Sequence, residues 1–318
     1  MSFSKIGLMA AVVLGGVGSL AAAQAPAVPS FFKDFPPPQV IDDVPAALAQ
    51  RLVLGKLPKP AGKPVVLFDG RDLAAFTPWL GYPGGGLQPA GPDDQPIGQA
   101  GIGDVFKVVE VDGGPAIRVS GRIWGAITTR REYENYHLSL SFKFARDHKP
   151  GVLPNSGVLY HSYGPAGAFA GTWMSAIEFE VAEGMTGMML PVGRELGASV
   201  EIGTYPGKSM FGGGPYRYMR GGKLAALRMP TMVDSATKPE RPVGEWNRLD
   251  LYVAGDRAVH VVNGVPVMAL SNLTLKGPDG AVRPLTRGRI QLQSEGAEIF
   301  FRDIRIVPIR TVPEVFAK

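Results

Sequence analysis

The chain has 318 residues, 45% of them hydrophobic and 19% charged, with a formal net charge of +5 and no cysteine. The positive charge is modest and spread without a Lys/Arg block, which gives nucleic-acid binding no support. Lack of cysteine excludes thiolate metal sites, cysteine nucleophiles and disulfides, so stability must come from a packed core, which a chain of this length can bury.

The chain opens with Met1-Ser-Phe-Ser-Lys5, an apolar run from Ile6 to Ala23, and Ala23-Gln24-Ala25. This is the form of a secretory signal with an A-x-A cleavage site. Residues 1–25 are expected to be removed on export, to the periplasm or the medium. No later apolar run is long enough to span a bilayer, so no membrane insertion is expected after cleavage. Residues 26–60, rich in Pro and Ala, read as a leader arm, with one short helix expected at about Pro45 to Leu54. The globular pattern covers 61–310 and leaves a C-terminal tail, 311–318.

Within that domain, Lys63-Pro-Val-Val-Leu-Phe-Asp-Gly70 reads as a short strand and turn. Residues 81–103 form a Gly/Pro loop. A hairpin is expected over 105–109 and 116–120, then a strand at 123–129. In 136–144, Tyr136, Leu138, Leu140, Phe142 and Phe144 alternate with His137, Ser139, Ser141 and Lys143, the pattern of a half-buried strand. Two strands follow, at 155–161 and 173–183. Residues 185–243 are irregular, with short strands open at 198–202 and 227–233. A meander over 248–253, 258–262 and 265–270 turns at Asn263-Gly264, a strong hairpin signal. Strands at 289–293 and 298–308 close the domain. Many short strands and scarce helix signals predict an all-β jelly-roll sandwich of two antiparallel sheets with a concave ligand-binding face.

The most unusual stretch is Trp173-Met-Ser-Ala-Ile-Glu178-Phe-Glu180-Val-Ala-Glu183. Ile177, Phe179 and Val181 point one way, Glu178 and Glu180 the other, about 7 Å apart at ~3.3 Å per residue. Like charges at that spacing raise at least one pKa if the face is a cleft. A one-residue bulge between Val181 and Glu183 would bring Glu183 beside them. Wet sheet faces carry idle glutamates too. What sets these apart is three in six residues, next to the strand of His161. A divalent metal ion held by His161, Glu178 and Glu180 is one reading, and a hydrogen-bonded histidine is the other; no other cofactor is implied. Trp124 and Trp173 would suit the apolar faces of sugar rings, or pack in the core. There is no H-E-x-x-H and no G-x-S-x-G. Gly207-Lys208-Ser209 lacks the leading glycine of a phosphate loop. Glu178-x-Glu180-x-x-Glu183 resembles the E-x-D-x-x-E strand of laminarinase- and carrageenase-type glycoside hydrolases, which would make Glu178 nucleophile and Glu183 acid/base of a retaining glycosidase.

A set of segments in order is more specific. Leu67-Phe-Asp-Gly-Arg-Asp-Leu73, Ser120-Gly-Arg-Ile-Trp-Gly-Ala-Ile127, Glu134-Asn-Tyr-His-Leu138 and Asn155-Ser-Gly-Val-Leu-Tyr-His161 come first. Trp173-Met-Ser-Ala-Ile-Glu178, Gly244-Glu-Trp-Asn247, Val262-Asn-Gly264, Ile290-Gln-Leu-Gln-Ser-Glu-Gly296 and Phe301-Arg-Asp-Ile304 follow. This order resembles the 3-keto-disaccharide hydrolase domain family over about 63–309. The resemblance implies a concanavalin-like sandwich, a bacterial exported protein, and a carbohydrate substrate whose glucose carbon 3 a separate sugar 3-oxidoreductase has oxidised. Related members often carry Gln where Glu180 stands, and an acidic pair where Met185 and Met188 stand.

A ketone at carbon 3 acidifies the carbon-2 proton, so a base can remove it and the group on carbon 1 leaves by β-elimination; water then adds to complete hydrolysis. Such a site needs a base, an acid and a donor for the enolate oxygen. Glu178 is the expected base, with Glu180 raising its pKa, and His161 the acid or a metal ligand. Arg122, Lys143 or Arg302 would hold the enolate or hydroxyls. Asn155, Glu183, Gln293 and Glu295, with Trp124 and Trp173, complete the expected sugar contacts. A retaining β-glucan glycosidase and a non-catalytic carbohydrate-binding module are the competing readings.

Overall fold

The computed structural model describes residues 39–40, 50–147, 153–204, 216–229 and 231–318. The expected signal and most of the leader arm lie outside the described residues. The first strands are β1 (Gln39–Val40), β2 (Leu52–Leu54), β3 (Val65–Val66), β4 (Phe76–Leu80), β5 (Phe106–Val111), β6 (Gly114–Val119) and β7 (Gly125–Thr129). The middle of the chain gives β8 (Tyr136–Phe144), β9 (Asn155–Tyr163), β10 (Ser175–Ala182), β11 (Met189–Val192), β12 (Leu196–Thr204), β13 (Tyr216–Tyr218) and β14 (Lys223–Arg228). The last part gives β15 (Asn247–Ala254), β16 (Arg257–Val262), β17 (Val265–Lys276), β18 (Val282–Pro284), β19 (Arg289–Ser294), β20 (Ile299–Pro308) and β21 (Val315–Ala317). A 3-10 turn, Ile102–Asp104, precedes β5, and there is no α-helix among the described residues.

Two antiparallel sheets face each other. The smaller runs β11-β10-β9-β19-β7-β4; the larger, of thirteen strands, runs β1-β14-β12-β17-β16-β15-β8-β20-β6-β5, with β13, β18 and β3 on its flanks. Alternation sends Tyr136, Leu138, Leu140 and Phe142 of β8, and Ile177, Phe179 and Val181 of β10, into one shared core. Burying each such side chain contributes about 1.5–3 kcal/mol, which is how a disulfide-free chain holds together. The Asn263-Gly264 turn forms as expected, with φ of 48° and 80° at its two residues, the left-handed pair that a tight hairpin requires. The all-β sandwich of two antiparallel sheets is therefore met.

Two expectations fail locally, and one strand was missed. The helix expected at Pro45 to Leu54 is not found: Leu52–Leu54 is a strand paired with Val315–Ala317, and residues 45–49 lie outside the described residues. Leu52 and Val315 are both buried in the core, so apolar contact there outweighs local helix propensity. β4 went unread because Pro78 interrupts it; as an edge strand pairing only β7, it tolerates the missing donor. Finally, the bulge expected between Val181 and Glu183 is absent. β10 pairs β9 in regular register from Ile177↔Tyr160 to Ala182↔Asn155, and the irregularity lies at the other end.

Candidate active site

That irregularity is a bulge in β9. Tyr160 pairs Ile177 and Tyr163 pairs Ser175, so β9 carries one residue more than β10 between them. The same excess appears against β19. His161 takes φ 51° at this point. Gly288 makes room for it, because a Cβ there would lie 2.4 Å from the His161 carbonyl carbon. The extra residue reverses the facing of the side chain. The His161 ring lies 6.5 Å from Tyr136 and 5.7 Å from Tyr160, in the core between the sheets. His161 is thus on the opposite side of the sheet from Glu178 and Glu180, and the expected acid or ligand role does not fit. Among the described residues no group of three His, Asp or Glu side chains is placed to hold a metal ion.

On the outer face of the smaller sheet the carboxylates do converge. Glu180 pairs Gly157, and Gln293 of β19 pairs Ala126. Gly157 lies between the two, and its missing side chain is what lets them meet: a Cβ there would be 2.3 Å from Gln293 Oε1 and 2.4 Å from Glu178 Oε1. Glycine inside a strand marks such close approach, and Asn155-Ser-Gly157 carries that signal in the sequence, although it was not read as part of the site. Glu178 and Glu180 are each only 3% exposed. Beside them pack Leu159, Ala176, Ala182 and Leu190 of the same sheet, with Met185, Met188, Met229 and Met232.

Burial in this apolar setting raises the pKa of Glu178 to about 8, partly opposed by the neighbouring Gln293 amide. Burial also pushes Glu180 well above the carboxylate range, and the charges of Glu178 and Glu295 add to it. Glu295, half-buried just after β19, is raised by desolvation and by Glu178. The unsatisfied atoms point the same way. Gln293 faces the Glu178 carboxyl, but neither its Oε1 nor its Nε2 completes a well-aligned hydrogen bond within the protein, and the same holds for Glu178 Oε1, Glu180 Oε1 and Asn155 Oδ1. Gln291, two residues earlier on the same face, is by contrast fully engaged: its Nε2 donates to Ser162 Oγ at 2.9 Å and its Oε1 accepts from Met174 N at 3.0 Å. A buried amide whose hydrogen bonds are incompletely made is costly to leave so, which leaves Gln293 with donor and acceptor capacity to spare next to Glu178.

The site becomes more exposed towards Asn155, Glu295, Trp124 and Leu153, all half-buried. Trp124 is the outer plate of an aromatic stack. It lies 5.7 Å from Trp173, which lies 6.3 Å from Phe169. Trp173 is itself buried, and its Nε1 donates to the Gly125 carbonyl at 2.9 Å, so Trp173 supports the stack and half-buried Trp124 is its more exposed plate.

Other expected contacts are elsewhere. Lys143 and Arg302 sit on the outer face of the larger sheet, where Lys143 Nζ meets Asp112 at 2.5 Å and Arg302 stacks 3.8 Å from the Trp246 ring. Both alternate away from the core on β8 and β20, but on the far side of the sandwich from Glu178. Arg122 is exposed beside Asp147 and Glu298 at another cavity. Glu183, left without its bulge, is exposed at the end of β10 with Glu240 and Arg241 around a separate cavity of about 360 Å³.

These buried groups set an expected stability profile. Burial lowers the pKa of His161 from 6.5 to about 4 and of His260 from 6.5 to about 3. Their contribution is complete above 6.5 and is lost as pH falls through those folded values. Glu178 acts in the opposite sense, raised from 4.5 to about 8; its contribution is complete below 4.5 and is lost as pH rises through 8. Glu180 and Glu295 add to that side. The thermal unfolding midpoint is therefore expected to peak between pH 4.5 and 6.5. A midpoint that climbs steadily from there to pH 8 would contradict the burial of the carboxylates.

A family profile described as the 3-keto-alpha-glucoside-1,2-lyase-like domain matches residues 63–307. No curated protein matches the chain. A solved structure from Parabacteroides distasonis, provisionally described as a glycosyl hydrolase, is 18% identical with a TM-score of 0.42, covering 77% of this chain and 94% of that one. A second such protein from the same organism is 17% identical with a TM-score of 0.41, covering 85% and 94%. SCLam, a non-specific endo-β-1,3(4)-glucanase of family GH16, is 14% identical with a TM-score of 0.43, covering 83% and 97%.

Proposed function

The chain belongs to the 3-keto-alpha-glucoside-1,2-lyase-like family; on that premise we propose that it is a carbohydrate-active enzyme that cleaves 3-keto-glycosides by carbon-2 proton abstraction and β-elimination. The observation that carries this reading is the cluster of Glu178, Glu180 and Glu295 around the buried Gln293 amide, whose hydrogen bonds are incompletely made.

Glu178, the member of the cluster that faces the Gln293 amide, whose contact favours its ionised form, serves as the base. Its carboxylate takes the proton from carbon 2, and the electron pair forms the carbon 1–carbon 2 double bond as the carbon 1–oxygen bond breaks. Glu180 or Glu295, still protonated, gives its proton to the departing oxygen. Carboxylates pushed apart in pKa divide the acid and base roles in this way. Gln293 Nε2 donates to the developing enolate oxygen, in place of the cations expected from sequence. Asn155 and Trp124 hold the sugar at the mouth. Water added to the resulting enone completes net hydrolysis. The retaining-glycosidase reading loses its acid/base, because Glu183 lies exposed away from Glu178.

Export through residues 1–25 and supply of the ketone by a separate oxidoreductase belong to the same proposal. The test is turnover of 3-keto-trehalose beside trehalose. Cleavage of the keto-sugar alone is expected. Cleavage of trehalose at a similar rate, or binding of either sugar without turnover, would reject it in favour of a direct glycosidase or a binding module.

A further inference from the structure

A second cleft lies on the other side of the sandwich, on the outer face of the larger sheet. Its volume is about 590 Å³, and Arg248, Arg302, Arg305, Asp69 and Asp303 line it. Two features build it. The register of β20 against β8 shifts between Arg302 and Arg305, and Asp303 within the shift takes φ 58°. A bulge of this kind re-aims consecutive side chains. The facing wall is the Asp69-Gly70 turn, where Gly70 has φ 91° and a Cβ would meet Pro115 Cγ at 2.5 Å. Only glycine lets that turn press against the β5–β6 hairpin.

The charges in the cleft are unevenly matched. Arg248 is engaged by Asp250 through two hydrogen bonds of 2.8 Å. Arg302 lies 3.5 Å from Asp303 Oδ2, and its buried Nε completes no hydrogen bond. Arg305 donates only to Ser139 Oγ, at 3.2 Å; among the described residues no carboxylate pairs with it. Asp69 and Asp303 side chains are 50% and 67% exposed; Asp69 Oδ1 accepts from Arg71 N at 3.0 Å and Asp303 Oδ2 from Ser141 Oγ at 3.3 Å, and an ionised carboxylate has further acceptor positions beyond these.

We propose that this cleft binds a uronic acid unit of an acidic oligosaccharide, with the carboxylate on Arg305 and Arg302 and ring hydroxyls on Asp69 and Asp303. A guanidinium fork matches a carboxylate bidentately, and ionised aspartates accept from hydroxyls. Val66 and Pro115 give the apolar wall for the C–H face of the ring. A small inorganic anion would use the arginines but be repelled by the aspartates, and a neutral sugar would leave Arg305 unmatched. A uronate satisfies both sets. The cleft would hold the protein on an acidic polysaccharide while the carboxylate chamber on the opposite sheet stays free.

The test is calorimetric titration of the whole protein with digalacturonate, its neutral counterpart galactobiose, and inorganic phosphate. Saturable binding of digalacturonate is expected, weakened about tenfold or more in Arg305→Ala, since a hydrogen bond to a charged group is worth about 1.5–3 kcal/mol. Asp69→Asn should also weaken it. The unfolding midpoints of both variants should match the parent. No binding of digalacturonate, unchanged affinity in both variants, or equal affinity for galactobiose or phosphate would overturn the proposal.

Discussion

Glu178→Gln is expected to lower turnover of a 3-keto-glycoside by about 10²- to 10⁴-fold, the usual worth of a positioned general base. Glutamine keeps the shape of the side chain and removes only the base. It also removes a buried ionisable group, so folding should be undisturbed or improved above neutral pH. The pH dependence of the parent follows from the same residue. Burial holds the Glu178 carboxyl protonated below about 8, so kcat/KM should climb as pH rises through that value. Glu180 lies well above the carboxylate range, and loss of its proton should turn the rate down again at higher pH. Steady-state kinetics of both proteins across the pH range check this. Unchanged turnover in Glu178→Gln would remove Glu178 from the reaction.

Gly157→Ala should be nearly as damaging, for a geometric reason. The new methyl would sit 2.3 Å from Gln293 Oε1 and 2.4 Å from Glu178 Oε1, closer than any van der Waals contact permits. Both polar ends must retreat, and they belong to the proposed base and the proposed enolate donor. Gly157 lies within regular β9–β10 pairing, so an alanine suits its backbone. The expected result is a loss of about 10²-fold in turnover, the cost of roughly 1 Å of misplacement, with an unfolding midpoint near that of the parent. Full activity in Gly157→Ala would mean that the close approach of these groups is not catalytic.

Much of this site was legible because strands repeat every two residues. The alternation that separates Ile177, Phe179 and Val181 from Glu178 and Glu180 holds through all of β10, and the two glutamates face one way as read. His161 was misplaced because one extra residue in β9 reverses the facing of a side chain, and no local pattern announces the bulge. The glycine that accommodates it, Gly288, lies far along the chain. Lys143 and Arg302 were misplaced for a different reason. Alternation tells which side chains leave the core but not from which sheet, and the outer faces of both sheets look alike in sequence. Glu295 and Gln293 join Glu178 only through β19 pairing with β9, a contact that strand pattern alone does not specify.

The most direct test of carbon-2 chemistry is to run the reaction on 3-keto-trehalose in heavy water and read carbon 2 of the products by NMR. Elimination and rehydration should leave deuterium on carbon 2 of the released keto-sugar beyond a no-enzyme control, or an enone with no hydrogen bound there. A released keto-sugar that keeps its original carbon-2 proton would show direct displacement at carbon 1 and contradict Glu178 as the carbon-2 base.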